Sequence, residues 1–262
     1  IVTKDNEYSD LFYAIPGSYG TIGIITKVYI YICPCSRYVL SEYYIYDSLD
    51  SIINEFKNKE YHGRFDNRKK YDLMEGLIID KNKYLLSCTN FVDKISWWDW
   101  LFYSTCFGFF WSMWYYNYVK NISNKYTYYK QYIHTKDYLF RWDRGAFWFG
   151  SNRLKCNWIN RLIYGYFMTS EKLYERARKK NVFDREKRKI VQDLLCPLDK
   201  LHEFIPYINN IYQVYPVWLC PIKTFNNENN TIFSLTNDND MYVDVGVYGG
   251  WAKEHTPDGE TD

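Results

Sequence analysis

The chain is poor in the patterns that metal and disulfide chemistry need. Its seven cysteines, at positions 33, 35, 88, 106, 156, 196 and 220 of 262 residues, are odd in number and scattered. Cys33-Pro34-Cys35 lacks the two-residue spacer of redox and zinc pairs, and no second pair complements it, so reduced structural thiols facing the cytosol are expected. His62, His134, His202 and His255 stand far apart with no His-x-x-x-His spacing, and no metal site is expected. A net charge of +2 is too small to argue for nucleic acid or an anionic membrane surface. No basic, apolar and small-residue leader precedes the first element, and the chain opens on Ile1 rather than Met. The expectation is a piece of a longer protein, with any anchor or signal outside it.

Other components are abundant. Hydrophobic residues make up 47%, ample for a core. Aromatics make up 21%, including 29 tyrosines, alongside heavy use of Asn, Ile and Lys. All four suit AT-rich codons, so a single tyrosine is a poor marker of function.

The most informative stretch is Asp10 to Pro34, DLFYAIPGSYGTIGIITKVYIYICP. An apolar run ending in Pro16 meets Gly17, Gly20 and Gly23, separated by Ser18, Tyr19, Thr21 and Ile22. A β-branched and aromatic strand is expected over Ile24 to Ile32. Glycine and serine at such a bend let backbone N–H groups approach a flat or anionic ligand. A plain structural turn is the competing reading.

Four blocks extend this signal: DLFYAIPGSYGTIG near the start, YLFRWDRGAFW at Tyr138 to Trp148, VQDLLCPLDKL at Val191 to Leu201, and YPVWLCP with MYVDVGVYG near the end. In them the chain resembles the delta(24)-sterol reductases, the Diminuto/Dwarf-like family, flavoproteins of the vanillyl-alcohol-oxidase and p-cresol-methylhydroxylase (PCMH) type. Family members carry Trp and Cys where this chain has Gly17 and Tyr19. The resemblance implies an α+β fold: residues 1–34 as the C-terminal end of an FAD-binding PCMH-type domain, and 35–250 as a substrate (cap) domain whose antiparallel sheet is covered by helices. By its own composition, 251–262 reads as a polar, disordered tail. The resemblance also implies FAD held by the turn Gly17, Ser18, Tyr19, Gly20, Thr21, Ile22 and Gly23, with NADPH as reductant. The implied reaction reduces a sterol side-chain double bond by a proton and a hydride, at the cytosolic face of the endoplasmic reticulum membrane. The alternatives are a flavin oxidase of the same fold acting on an alcohol or sugar, and a non-catalytic sterol-binding or membrane-interaction protein.

Strands are expected over 38–46, 73–79, 84–91, 191–195, 215–220 and 241–247, forming an antiparallel sheet covered on one face. The second and third make a hairpin across 80–83, and 191–195 reads as a buried strand. Asp47 to Asp50 caps a helix through Phe56 with Leu49, Ile52, Ile53 and Phe56 on one face. Further helices are expected from Ser170 to about Lys180 and from Leu198 to Ile211, with a break near Pro206. Glu60–Lys70, Asn121–Lys136 and Asn226–Asp240 read as loops, and Arg176–Lys189 as a solvated basic face. Trp97 to Val119 holds 20 uncharged residues after Asp99, matching the ~20 needed to span a bilayer. Trp and Tyr replace Leu, Ile and Val there, which favours an interfacial or sterol-facing aromatic helix over a buried helix or a true span.

The densest polar cluster inside apolar sequence is Arg141-Trp142-Asp143-Arg144. Charges there would cost several kcal/mol unless paired. Either an internal Arg–Asp bridge holds a loop, or one arginine faces a flavin or NADPH phosphate by its forked donors. Arg141, Asp143, Arg144 and Tyr248 are the candidate catalytic residues. Asp244 and Tyr13 are further candidates.

Overall fold

The computed structural model describes residues 1–58, 70–179, 189–223 and 241–250. The expected loops at 60–69 and 226–240, most of the basic run 176–189 and the tail 251–262 lie outside them. Nine helices are described: α1 (Ser9–Ala14), α2 (Leu49–Asn58), α3 (Trp97–Tyr103), α4 (Tyr115–Ser123), α5 (Thr135–Leu139), α6 (Phe149–Arg153), α7 (Trp158–Tyr164), α8 (Ser170–Lys179) and α9 (Leu201–Tyr212). Eight strands are described: β1 (Tyr38–Tyr46), β2 (Leu73–Asp80), β3 (Lys83–Val92), β4 (Ser104–Thr105), β5 (Tyr128–His134), β6 (Lys189–Pro197), β7 (Val217–Lys223) and β8 (Met241–Gly250).

All eight strands form one sheet in the order β4-β5-β1-β3-β2-β7-β8-β6, antiparallel except where β4 lies parallel to β5. The fold is α+β, with a mixed sheet. The six expected strands are present, and β2 and β3 pair as a hairpin with Asp80 opposite Lys83. The Asp80 side chain accepts from Asn82 N at 3.1 Å, which closes the turn. The expected cap of α2 also forms: Ser48 Oγ accepts from Ser51 N, and Ile52, Ile53 and Phe56 are buried.

Alternation along the strands divides two cores. One face of the sheet carries Met74, Ile78, Leu86, Val217, Leu219, Val243, Val245 and Val247 against α2 and α9. The other carries Val39, Tyr43, Leu77, Ile79 and Leu85 against α4 and the aromatic segment Tyr138–Trp148. Each fully buried Leu, Ile, Val or Phe contributes about 1.5–3 kcal/mol. Helices therefore cover both faces, not one. Periodicity shows that two faces are apolar on alternate residues but not how many layers cover them.

Five other expectations are corrected. Ile24 to Ile32 forms no strand and is exposed, because no neighbouring strand offers it a ladder. The stretch 97–119 is broken into α3, β4 and α4, and among the described residues no helix is long and apolar enough to cross a membrane. Ser104 and Thr105 leave the helix because β5 presents Tyr132 and Ile133 as ladder partners. The expected loop 121–136 holds β5, which pairs with β1. The strand at 191–195 lies at the sheet edge, with Val191 and Leu195 about half exposed, since β8 covers its other side alone. Finally, α9 runs through Pro206 without a break, its register held by buried Leu201, Ile205 and Ile208.

Candidate functional site

A charged pair sits under the centre of the second face. Arg141 and Glu75 meet at 2.8 Å, at 9% and 4% exposure. The bridge therefore joins Arg141 to β2 rather than to Asp143. Tyr115 Oη and Trp218 Nε1 also donate to Glu75, at 3.3 and 3.1 Å. Gln131 Nε2 donates to Tyr43 Oη at 2.7 Å, and Arg141 Nη1 to the Tyr138 carbonyl at 2.6 Å. Burial opposes the arginine's charge, but Glu75 overcomes this and holds it protonated. Such a pair is costly to break and adds little net stability over an apolar substitute. Its evident effect is to fix the Tyr138–Trp148 segment over β2.

The other two polar residues of that segment face away. Asp143 caps α8: its Oδ1 accepts from Ser170 N at 3.1 Å, and its carbonyl accepts from Ser170 Oγ at 3.0 Å. Arg144 is a clamp, donating to the carbonyls of Gly165 and Gly108 at 3.0 and 2.9 Å. Between this loop and α6, Gly145, Ala146 and Phe147 all have positive φ, at 82°, 45° and 61°. For Ala and Phe each such conformation costs about 1–2 kcal/mol. The strain places the Phe147 ring edge-on against Tyr248 at 5.5 Å and near Trp218 at 5.5 Å. Trp148 stacks on Tyr248 at 5.4 Å and donates its Nε1 to the Tyr248 carbonyl at 2.6 Å.

Beyond this aromatic wall, the face over β7, β8 and β6 carries a cluster of acids. Asp244 lies opposite Cys220 on β7 and opposite Leu195 on β6. Asp193 lies opposite Gly246, and the Tyr248 hydroxyl donates to Asp193 Oδ1. A Cβ on Gly246 would sit 3.2 Å from both Asp193 Oδ1 and Tyr248 Oη, so glycine lets this bonded pair lie close over the backbone of β8. Burial, then the charge of Asp193, lifts the Asp244 carboxyl from 3.8 to about 6, and its Oδ1 is buried without a hydrogen-bond partner. Burial, then the bond to Asp193, pushes the Tyr248 phenol well up. Burial, then Glu75 and Asp244, does the same to the Cys220 thiol. A half-buried carboxyl raised to about 6 is a better match to proton transfer near neutral pH than an ordinary one. By strand alternation Val191 and Leu195, beside Asp193, give this face an apolar rim.

The Gly17–Gly23 turn belongs to no strand and is exposed apart from Ser18. Gly17 and Gly20 have φ of 78° and 75°, which favours glycine. The turn closes by Thr21 N and Oγ1 donating to the Ser18 carbonyl, at 3.0 and 2.6 Å. A Cβ at Gly20 or Gly23 would meet nothing within 4 Å, so the space beside the turn is open. Tyr13, half-buried in α1, packs edge-on against Phe12. The structure thus gathers Tyr248, Asp244 and the Arg141–Phe147 loop on one sheet face and leaves the turn outside the sheet. Sequence reasoning passed over Glu75, Asp193 and Cys220. The available signal was a lone carboxylate in the otherwise apolar LMEGLII, and an acid in each of two blocks that become neighbouring strands.

No family model matches the chain. Seven curated relatives do match, and those described here are named delta(24)-sterol reductase or a homolog of it. The Caenorhabditis elegans homolog is 29% identical over 256 residues, covering 94% of this chain and 46% of that relative. The Pisum sativum protein is 27% identical over 94% of the chain and 47% of its own length. The Homo sapiens protein is 26% identical over 95% and 47%. The resemblance carried by the four blocks holds over nearly the whole chain, which spans about half the length of the curated relatives it matches.

Proposed function

Starting from that relationship to delta(24)-sterol reductases, we propose that this chain forms the substrate-binding part of an FAD-dependent oxidoreductase reducing a sterol side-chain alkene. NADPH is the electron source in this reading, and the endoplasmic reticulum membrane its location. The observation that carries the chemistry is Asp244: a carboxyl lifted to about 6, with one oxygen buried and unbonded, on an open apolar face. Residues 1–34 are read as the end of the flavin domain, with the open glycines of the Gly17–Gly23 turn as backbone contacts to the ring. A bound, reduced flavin would supply hydride to one alkene carbon.

Asp244 would deliver the proton to the other carbon, leaving a carboxylate that solvent reprotonates. Tyr248 itself is a poorer donor, because its phenol holds its proton more tightly than the carboxyl does. Phe147, Trp218, Val191 and Leu195 would flank the sterol tail and keep water from competing for the proton. Arg141 and Glu75 position this wall from beneath, and Arg144 and Asp143 anchor its loop to α7 and α8.

The test is to supply the full-length protein with desmosterol, NADPH and FAD. Reduced sterol is the expected product. A yellow protein that consumes oxygen without NADPH would point to the oxidase, and a colourless protein that binds sterol would point to the non-catalytic reading.

A further inference from the structure

We propose that α7, the turn Gly165–Phe167 and the basic face of α8 form a docking surface for an anionic phospholipid bilayer, with α7 lying at headgroup depth. The proposal stands apart from the reductase chemistry, since it uses none of the residues around Asp244. None of the seven residues of α7 is buried. Trp158, Ile159, Leu162 and Ile163 are 67%, 48%, 54% and 56% exposed, and Tyr166 and Phe167 continue the patch. A helix this apolar and this bare has no core to stabilise it.

It is nevertheless held firmly. Asn157 caps it, accepting from Asn160 N at 2.8 Å. Arg144 bonds the Gly165 carbonyl, and a Cβ on Gly165 would lie 1.9 Å from the Phe110 carbonyl oxygen. The backbone is fixed to the protein while the side chains point outward. The same contact brings Phe109 and Trp111, exposed and stacked at 4.8 Å, next to this surface.

Charge selects the occupant. Between Lys155 and Lys179 lie six basic residues and two acidic ones, leaving 27 basic and 29 acidic in the rest of the chain. The small positive total is therefore concentrated here. Lys172 Nζ sits 3.1 Å from the centre of the Tyr166 ring, and the Arg176 guanidinium lies 5.1 Å from that of Phe167. Together with Glu175 and Lys179 they line an open groove of about 300 Å³. Apolar and aromatic side chains rimmed by lysine and arginine are the composition of helices that lie on anionic membranes. Protein interfaces are instead depleted in lysine. Helix α3 is just as exposed, but Lys94 and Lys130, the latter 5.3 Å from the centre of the Tyr103 ring, are offset by Asp93 and Asp99, so it lacks the net cationic rim.

Hydroxyl-radical footprinting of the full-length protein reads these side chains directly, whatever else holds the protein to lipid. On vesicles containing about one-third phosphatidylserine, oxidation of Trp158, Leu162, Ile163 and Tyr166 should fall severalfold, while exposed Tyr126 is unchanged. Phosphatidylcholine vesicles should protect less. Lys172→Glu with Arg176→Glu should weaken the anionic-vesicle protection by about fivefold per charge, and Leu162→Gln with Ile163→Gln by about tenfold per residue. Unchanged oxidation on vesicles would overturn the proposal. So would protection already complete without lipid: independent of concentration, it would mean cover by the rest of the protein, and rising with concentration, cover by a second copy.

Discussion

Replacing Asp244 by Asn should make the protein more stable and less active. The carboxyl lies about two pH units above its ordinary 3.8, because burial and then Asp193 disfavour its charge. At 1.36 kcal/mol per unit that is roughly 3 kcal/mol. The residue is only half-buried, so screening by water reduces the figure to about 1 kcal/mol. A raised carboxyl means that the folded state holds more protons than the unfolded one between about pH 4 and pH 6. Stability therefore falls as pH rises through that window and is level above it. Asn carries no charge to bury, so the variant should match the wild type near pH 4 and exceed it by about 1 kcal/mol near pH 7.5. For a protein of this size that is a gain of about 2–4 °C in Tm. Thermal unfolding of both full-length proteins at the two pH values measures it. Sterol reduction should meanwhile drop by about 10²–10⁴-fold through loss of the proton donor. Equal or lower stability of the variant near pH 7.5 would refute the reasoning, because it would mean that Asp244 is an ionised, structurally paired carboxylate.

Arg141→Met should cost about 3–5 kcal/mol by leaving Glu75 buried without its partner, and Glu75→Gln in the same chain should recover part of it; denaturant unfolding of the single and double variants checks both. Gly165→Ala should cost about 3 kcal/mol, since its Cβ would collide with the Phe110 carbonyl and force α7 away from the 108–110 loop, as a thermal melt would show. Gly20→Ala meets no neighbour but must adopt φ near 75°, so it should cost about 1 kcal/mol while lowering flavin content measured by absorbance, if the turn touches the ring.

Six of the strands, the hairpin at Asp80–Lys83 and the capped face of α2 were legible in the residues, because turn chemistry and alternation act over a few neighbours, whereas β5 was read as a loop. The four motif blocks were legible too, and they carried the family resemblance. What lay beyond reach depends on partners distant in sequence. An internal Arg–Asp bridge was one of two readings of the 141–144 cluster, yet Arg141 pairs with Glu75, because a buried guanidinium goes to whichever carboxylate packing brings to it. Aromatic composition suggested one helix over 97–119, but β5 drew Ser104 and Thr105 into a ladder and ended α3. Ile24 to Ile32 has the composition of a strand and lacks a neighbour to pair with, and pairing is what makes a strand. The amino-acid order thus decided which segments could be strands or helices and which blocks mark the relationship. Only tertiary structure decided that Asp193, Asp244 and Tyr248 lie together on one sheet face, since their proximity comes from the β6–β8 register. Only it raised the Asp244 carboxyl, since desolvation is a property of the packed neighbourhood and not of the residue.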